Sequence, residues 1–244
     1  MPFHPISGNP LRAIVATSVA LSAAPQPEAQ AEGRVLRSQR ILAEPEKGET
    51  ETIVRLQIYL DENMFGPGKI DGAIGQFTRK AVAHYNFRHG LAFDNYFRVV
   101  TESEKQVGEI YTTYTVQESD FTFISKVPYE PAEQAKVKYL AYRTLEEFVA
   151  ERYHTDERFL AKINPDLDWS SAKAGAVIKV PNVTPFKIED IKKNQSFGED
   201  EQLSKRMAIV DTSQKLVAIW EGEKIVATFP VTPGRERFIH RGSW

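Results

Sequence analysis

From Thr52 onward, apolar residues recur at helical spacing. Ile53, Leu56 and Leu60 line one face, while Arg55 and Gln57 fall off that stripe. Gly66-Pro67-Gly68 interrupts the pattern, and Asp71-Gly72 marks a tight turn in which glycine can take a positive φ. The spacing then predicts a second helix from about Gln76, with Phe77, Ala81, Val82 and Tyr85 on one face and His89-Gly90 at its end. Residues 111–116 are aromatic and β-branched, the composition of a strand. Pro131 suits the first turn of a short helix. Thr144 is placed to cap an amphipathic helix that turns Leu145, Phe148 and Val149 inward, and Glu147, three residues on, makes a capping box available. A further short helix near Thr155 carries Phe159, Leu160 and Ile163 and stops at Asn164-Pro165. Residues 177–181 form a strand, so the order is strand, helix, helix, strand. From Met207 the pattern is all β, with strands at 207–210, 216–220 and 224–231 and turns near Ser213 and at Glu221-Gly222-Glu223. Such a meander presents Val210, Leu216, Ile219, Trp220, Ile225 and Phe229, which need an apolar cover. No later element in the sequence supplies one.

The N-terminus adds a targeting signal. Arg12 precedes an apolar run over 13–24, and Ala29-Gln30-Ala31 fits a small-x-small cleavage site, so residues 1–31 read as a signal peptide. The run is shorter than the ~20 apolar residues that span a bilayer; the other reading is a buried Ala/Val-rich helix. Residues 32–51, rich in polar residues, read as a linker with one short helix around 35–42. The composition, 41% hydrophobic and 26% charged over 244 residues, is that of a globular chain and accommodates two or three small domains. A net charge of -2 without a dense Lys/Arg cluster argues against nucleic acid as a partner. The absence of cysteine excludes disulfides, thiolate metal sites and thiol nucleophiles. His84 and His89 lie five apart, on different helix faces, so they suggest no metal site, and no cofactor is expected.

Three segments resemble modules of bacterial wall proteins. Residues 54–86 carry Val54-Arg55-Leu56-Gln57, Leu60, Lys69-Ile70-Asp71-Gly72, Ile74-Gly75, Thr78, Ala81-Val82 and Tyr85-Asn86. This combination resembles the peptidoglycan-binding-like domain, a small helical module, and places such a domain at 52–100. Residues 110–184 resemble a LysM module. Tyr114-Thr115-Val116 matches its first strand, Thr144 to Phe148 its first helix, Leu160 to Pro165 its "LxxLNP" stretch, and Lys173 to Pro181 its closing strand. LysM modules bind N-acetylglucosamine-containing glycans. The resemblance implies glycan contacts at Tyr142, Thr144, Asn164, Pro165 and Asp166. Residues 117–143 are an insertion relative to that family, beside the implied groove. Residues 205–244 resemble the opening strands of an L,D-transpeptidase (YkuD-type) domain, through Ile209-Val210-Asp211, Gln214-Lys215-Leu216, Trp220-Glu221-Gly222 and Phe229 to Gly234.

The fold expected from these resemblances is multidomain α+β: a small helical bundle, a βααβ LysM-like module and a partial β-meander. The function they imply is that of an exported periplasmic or cell-envelope protein whose partners are peptidoglycan glycan and stem peptides, the non-catalytic binding portion of an L,D-transpeptidase-like protein. That family acts through a cysteine in a Ser-His-Gly-Cys motif, and this chain holds no cysteine. His240 has no partner nucleophile, so no catalytic residue is transferred. The alternative is an incomplete chain of an active transpeptidase that cross-links stem peptides through a cysteine acyl-enzyme.

Overall fold

A computed structural model describes residues 47–191, 198–234 and 242 of the chain. The expected signal peptide, residues 32–46 of the expected linker, and His240 lie outside the described residues. The described part is mixed α+β, with two small antiparallel sheets.

Helices α1 (Lys47–Glu62), α2 (Gln76–Arg88) and α3 (Tyr96–Gln106) form the first unit. Helix α1 begins five residues before Thr52, with Glu49 in its first turn, where a carboxylate suits the helix dipole. It is the central helix of the unit, so burial extends well beyond the Ile53-Leu56-Leu60 stripe to Val54, Ile58 and Tyr59. Gln57, expected off the apolar face, is 1% exposed. Its amide is satisfied by the turn before α2. The side-chain carbonyl accepts from the N–H groups of Asp71 (3.1 Å) and Gly72 (2.9 Å), and the NH2 donates to Ala73 O and Asp71 Oδ1, both at 3.0 Å. Gly72 has φ +71°, and a Cβ there would lie 2.6 Å from Thr50 Cγ2, so the turn admits only glycine without rearrangement.

In the second unit, β1 (Tyr111–Thr115) and β2 (Val177–Pro181) pair antiparallel, Tyr111 opposite Pro181 and Thr115 opposite Val177. Two helices that pack on each other, the second of them also on β2, lie between them in the chain. The connection from β1 contains a 3-10 turn (Glu118–Phe123) and a short helix α4 (Pro131–Gln134), followed by α5 (Leu145–Arg152) and α6 (Glu157–Ile163). The insertion is closed at its neck. Tyr142 N donates to Phe123 O and Ser125 N to Tyr142 O, each at 2.9 Å. Only 126–141 project outward, with Tyr129, Tyr139 and Leu140 exposed at the tip. A buried Arg152 on α5 grips both carboxylate oxygens of Glu189 at 2.7 and 2.9 Å, tying down the segment after β2.

Strands β3 (Arg206–Asp211), β4 (Leu216–Glu221) and β5 (Lys224–Pro230) form the meander in the order β3-β4-β5. The expected lack of a cover is corrected here. Helix α2 lies against β5, and Leu216, Ile225 and Ala227 are buried. Phe87 meets Trp220 edge-on at 6.1 Å, Arg88 reaches the carbonyls of Ile225 and Val226, and Lys80 donates to Gln214 O at 2.6 Å. Gly66 N donates to Thr228 O (2.7 Å) and Thr228 N to Met64 O (2.9 Å). The cover comes from earlier in the chain, a long-range contact that reading forward along the sequence misses. All of β3 stays exposed, including Met207, Ile209 and Val210.

The buried apolar side chains of the first two units, with Ile225 of the meander, form one continuous cluster. Among the described residues, no helix is long and apolar enough to cross a membrane.

Candidate functional site

Three of the five residues expected to touch glycan serve the fold. Tyr142 is buried, donates its hydroxyl to Glu151 at 2.9 Å and stands edge-on to Phe148 at 5.3 Å. Burial, followed by that carboxylate contact, pushes its pKa above the usual tyrosine range. Thr144 caps α5 by accepting from Glu147 N at 3.0 Å. The capping box is only half formed, because Glu147 Oε2 accepts from Arg143 N at 2.6 Å instead of from Thr144 N. Asn164 closes α6 and ties it to β2, donating to Leu160 O (2.9 Å) and Lys179 O (2.8 Å) and accepting from Lys179 N (2.7 Å). Pro165 and Asp166 are exposed after α6.

A sizeable concavity among the described residues lies elsewhere. A cleft of about 800 Å3 opens where the helical unit, the βααβ unit and the meander meet. Asp61 from α1, the 66–69 loop and Phe77 from α2 form one side. Glu147, Ala150 and Glu151 from α5, with His154, Thr155 and Glu157, form another, and Phe229 and Pro230 from β5 complete it. None of the five expected glycan residues lines it.

Its walls are fixed by contacts between units. Ile70 N donates to His154 O at 2.8 Å, and Thr155 Oγ1 donates to Ile70 O at 2.6 Å. His154 turns the chain between α5 and α6 with φ 52°, which aims its ring at α1, and its Nδ1 lies 2.7 Å from Asp61 Oδ2. That hydrogen bond outweighs burial and raises the His154 pKa above its ordinary value. Lys69 Nζ meets Asp156 Oδ2 at 3.1 Å. Burial raises the Asp156 carboxyl, but Lys69 and the N–H groups of α6 outweigh it and hold the pKa below the usual carboxylate range. Most charge at the cleft is thus paired: Asp61 with His154, Lys69 with Asp156, and Glu147 with Arg143. Glu151 and Glu157 form no ion pair among the described residues.

The raised His154 pKa makes docking of α1 on the βααβ unit pH-dependent. The Asp61–His154 pair contributes fully below the ordinary histidine value of 6.5 and is lost as pH rises through the raised folded value. The melting temperature is expected to fall as pH climbs above 6.5, and the slope should flatten in Asp61→Asn. Equal slopes in the parent and in this variant would remove His154 from the account.

Sequence pattern marks Phe77 and Phe229 only as apolar positions and Glu147 only as a capping residue, and gives no sign of Asp61, His154, Glu151 or Glu157. These residues come from separate units, and the only local signal was the break between two helices at residues 153–156. Among the described residues, no group of three or more His, Asp or Glu side chains is placed to hold a metal ion. No family model matches the chain, and no curated protein matches it.

Proposed function

We propose that this chain is a peptidoglycan-binding protein of the cell envelope, the non-catalytic binding portion of an L,D-transpeptidase-like protein. The observation that carries the reading is the second unit. Two antiparallel strands with the packed helices α5 and α6 between them in the chain, apart from the 3-10 turn and short α4 of the stretch after β1, is the arrangement that the LysM resemblance leads one to expect. The first unit adds support, since the residues shared with the peptidoglycan-binding-like domain come together there. Gln57, Asp71, Gly72 and Thr78 form one hydrogen-bonded turn. Those contacts build the fold and leave ligand recognition to surfaces around it. Catalysis by this chain through an acyl-enzyme would require a nucleophile other than cysteine.

The test is co-sedimentation of the purified chain with insoluble peptidoglycan. The chain is expected in the pellet with sacculi and in the supernatant without them. Retention should change little with salt, because sugar recognition rests on hydrogen bonds and apolar contacts and not on charge neutralisation. Equal recovery in the supernatant with and without sacculi defeats the reading.

A further inference from the structure

We propose that the cleft between the three units is a carbohydrate site, and that it, not the loop at Asn164, Pro165 and Asp166, holds a neutral oligosaccharide. The inference rests on the wall-binding reading above and assigns that binding a place. A volume of about 800 Å3 lies within the usual range for small-molecule sites. The lining has two characters. Phe77, Phe229, Pro230 and Ala150 supply apolar surface from α2, β5 and α5, suited to the C–H faces and acetamido methyl groups of a sugar chain. Glu157, with the Glu151 oxygen that Tyr142 leaves free, supplies carboxylate acceptors for hydroxyl and amide N–H groups.

Charge disfavours an anionic occupant. Such a ligand would face Glu151 and Glu157, which carry no ion pair among the described residues, while Lys69 and His154 are already paired with Asp156 and Asp61. A polyol meets no such repulsion and can both donate and accept. Asn164, by contrast, already uses its amide oxygen and nitrogen within the fold.

The experiment titrates the full chain with the tetramer of N-acetylglucosamine by calorimetry, and in parallel with a free stem tetrapeptide. The variants are Glu157→Ala, Phe229→Ala and Asp166→Ala, with thermal melts to confirm folding. Glu157 is partly exposed in the first turn of α6, so its removal tests the cleft even if Phe229→Ala loosens the sheet. The tetramer is expected to bind, and Glu157→Ala should weaken it about ten- to a hundredfold, the loss of one hydrogen bond to a charged group. Asp166→Ala should change nothing. Two outcomes overturn the site while leaving sacculus retention intact. In one, Asp166→Ala weakens the tetramer and the cleft variants do not. In the other, the tetrapeptide, and not the tetramer, responds to Glu157→Ala. Failure to bind both the tetramer and sacculi overturns the site and the wall-binding reading together.

Discussion

Phe148→Ala is expected to destabilise the chain by about 3–5 kcal/mol, the usual cost of deleting a buried aromatic ring. Phe148 is 1% exposed at the centre of the βααβ unit. Its ring stacks on Phe123 at 5.9 Å, meets Tyr142 edge-on at 5.3 Å, and lies 4.9 Å from the Arg152 guanidinium carbon. Phe123 and Tyr142 form the neck of the insertion, so the cavity would loosen the closure of that loop as well as the packing of α5. Arg152 would also lose a ring face that it covers while held to Glu189. Urea unfolding followed by tryptophan fluorescence measures the change. Tyr129→Ala, at a position 91% exposed on the insertion tip, is the control and should stay within about 0.5 kcal/mol. A loss below about 1 kcal/mol for Phe148→Ala would mean that the ring is not the centre of this core.

Gln57→Leu is expected to cost about 2–5 kcal/mol, although it places an apolar side chain in an apolar helix. A single change removes the acceptor for two backbone N–H groups, those of Asp71 and Gly72, and each buried group left unmet costs about 1–3 kcal/mol. Asp71 Oδ1, Ala73 O and Thr78 Oγ1 lose a donor as well. Hydrogen exchange at the amides of Asp71 and Gly72 reads the effect locally and should accelerate before that of the α2 amides. A leucine variant as stable as the parent would show that water replaces the amide at no cost.

Local signals were legible where a residue's role depends on its neighbours in sequence. Thr144 caps α5 and His89 ends α2, each readable from spacing and side-chain type, whereas the cap of α6 is Asp156, one residue beyond the expected start near Thr155. The strand pairing of residues 111–115 with 177–181 followed from composition at the two ends of the unit. Helix α3, with N-cap Asn95 and buried Tyr96, Val99 and Val100, stands where no element was expected. Gln57 was not legible, because a glutamine off an apolar stripe ordinarily faces water; a turn fourteen residues on makes its burial favourable. The candidate site was the least legible part. Asp61, His154 and Phe229 share no periodicity and converge only because three units dock.

The loop between α1 and α2 also has a mechanical consequence. At one end Phe65 bridges to Thr228 in the meander, and at the other Ile70 bridges to Thr155 in the βααβ unit. Six residues therefore connect two units that the covalent chain joins only through the long stretch after β2. Tension applied to the βααβ unit would pass through this clasp into the sheet as well as through the covalent chain. Separating the units would require breaking the Ile70–Thr155 bridge together with the Asp61–His154 and Lys69–Asp156 pairs.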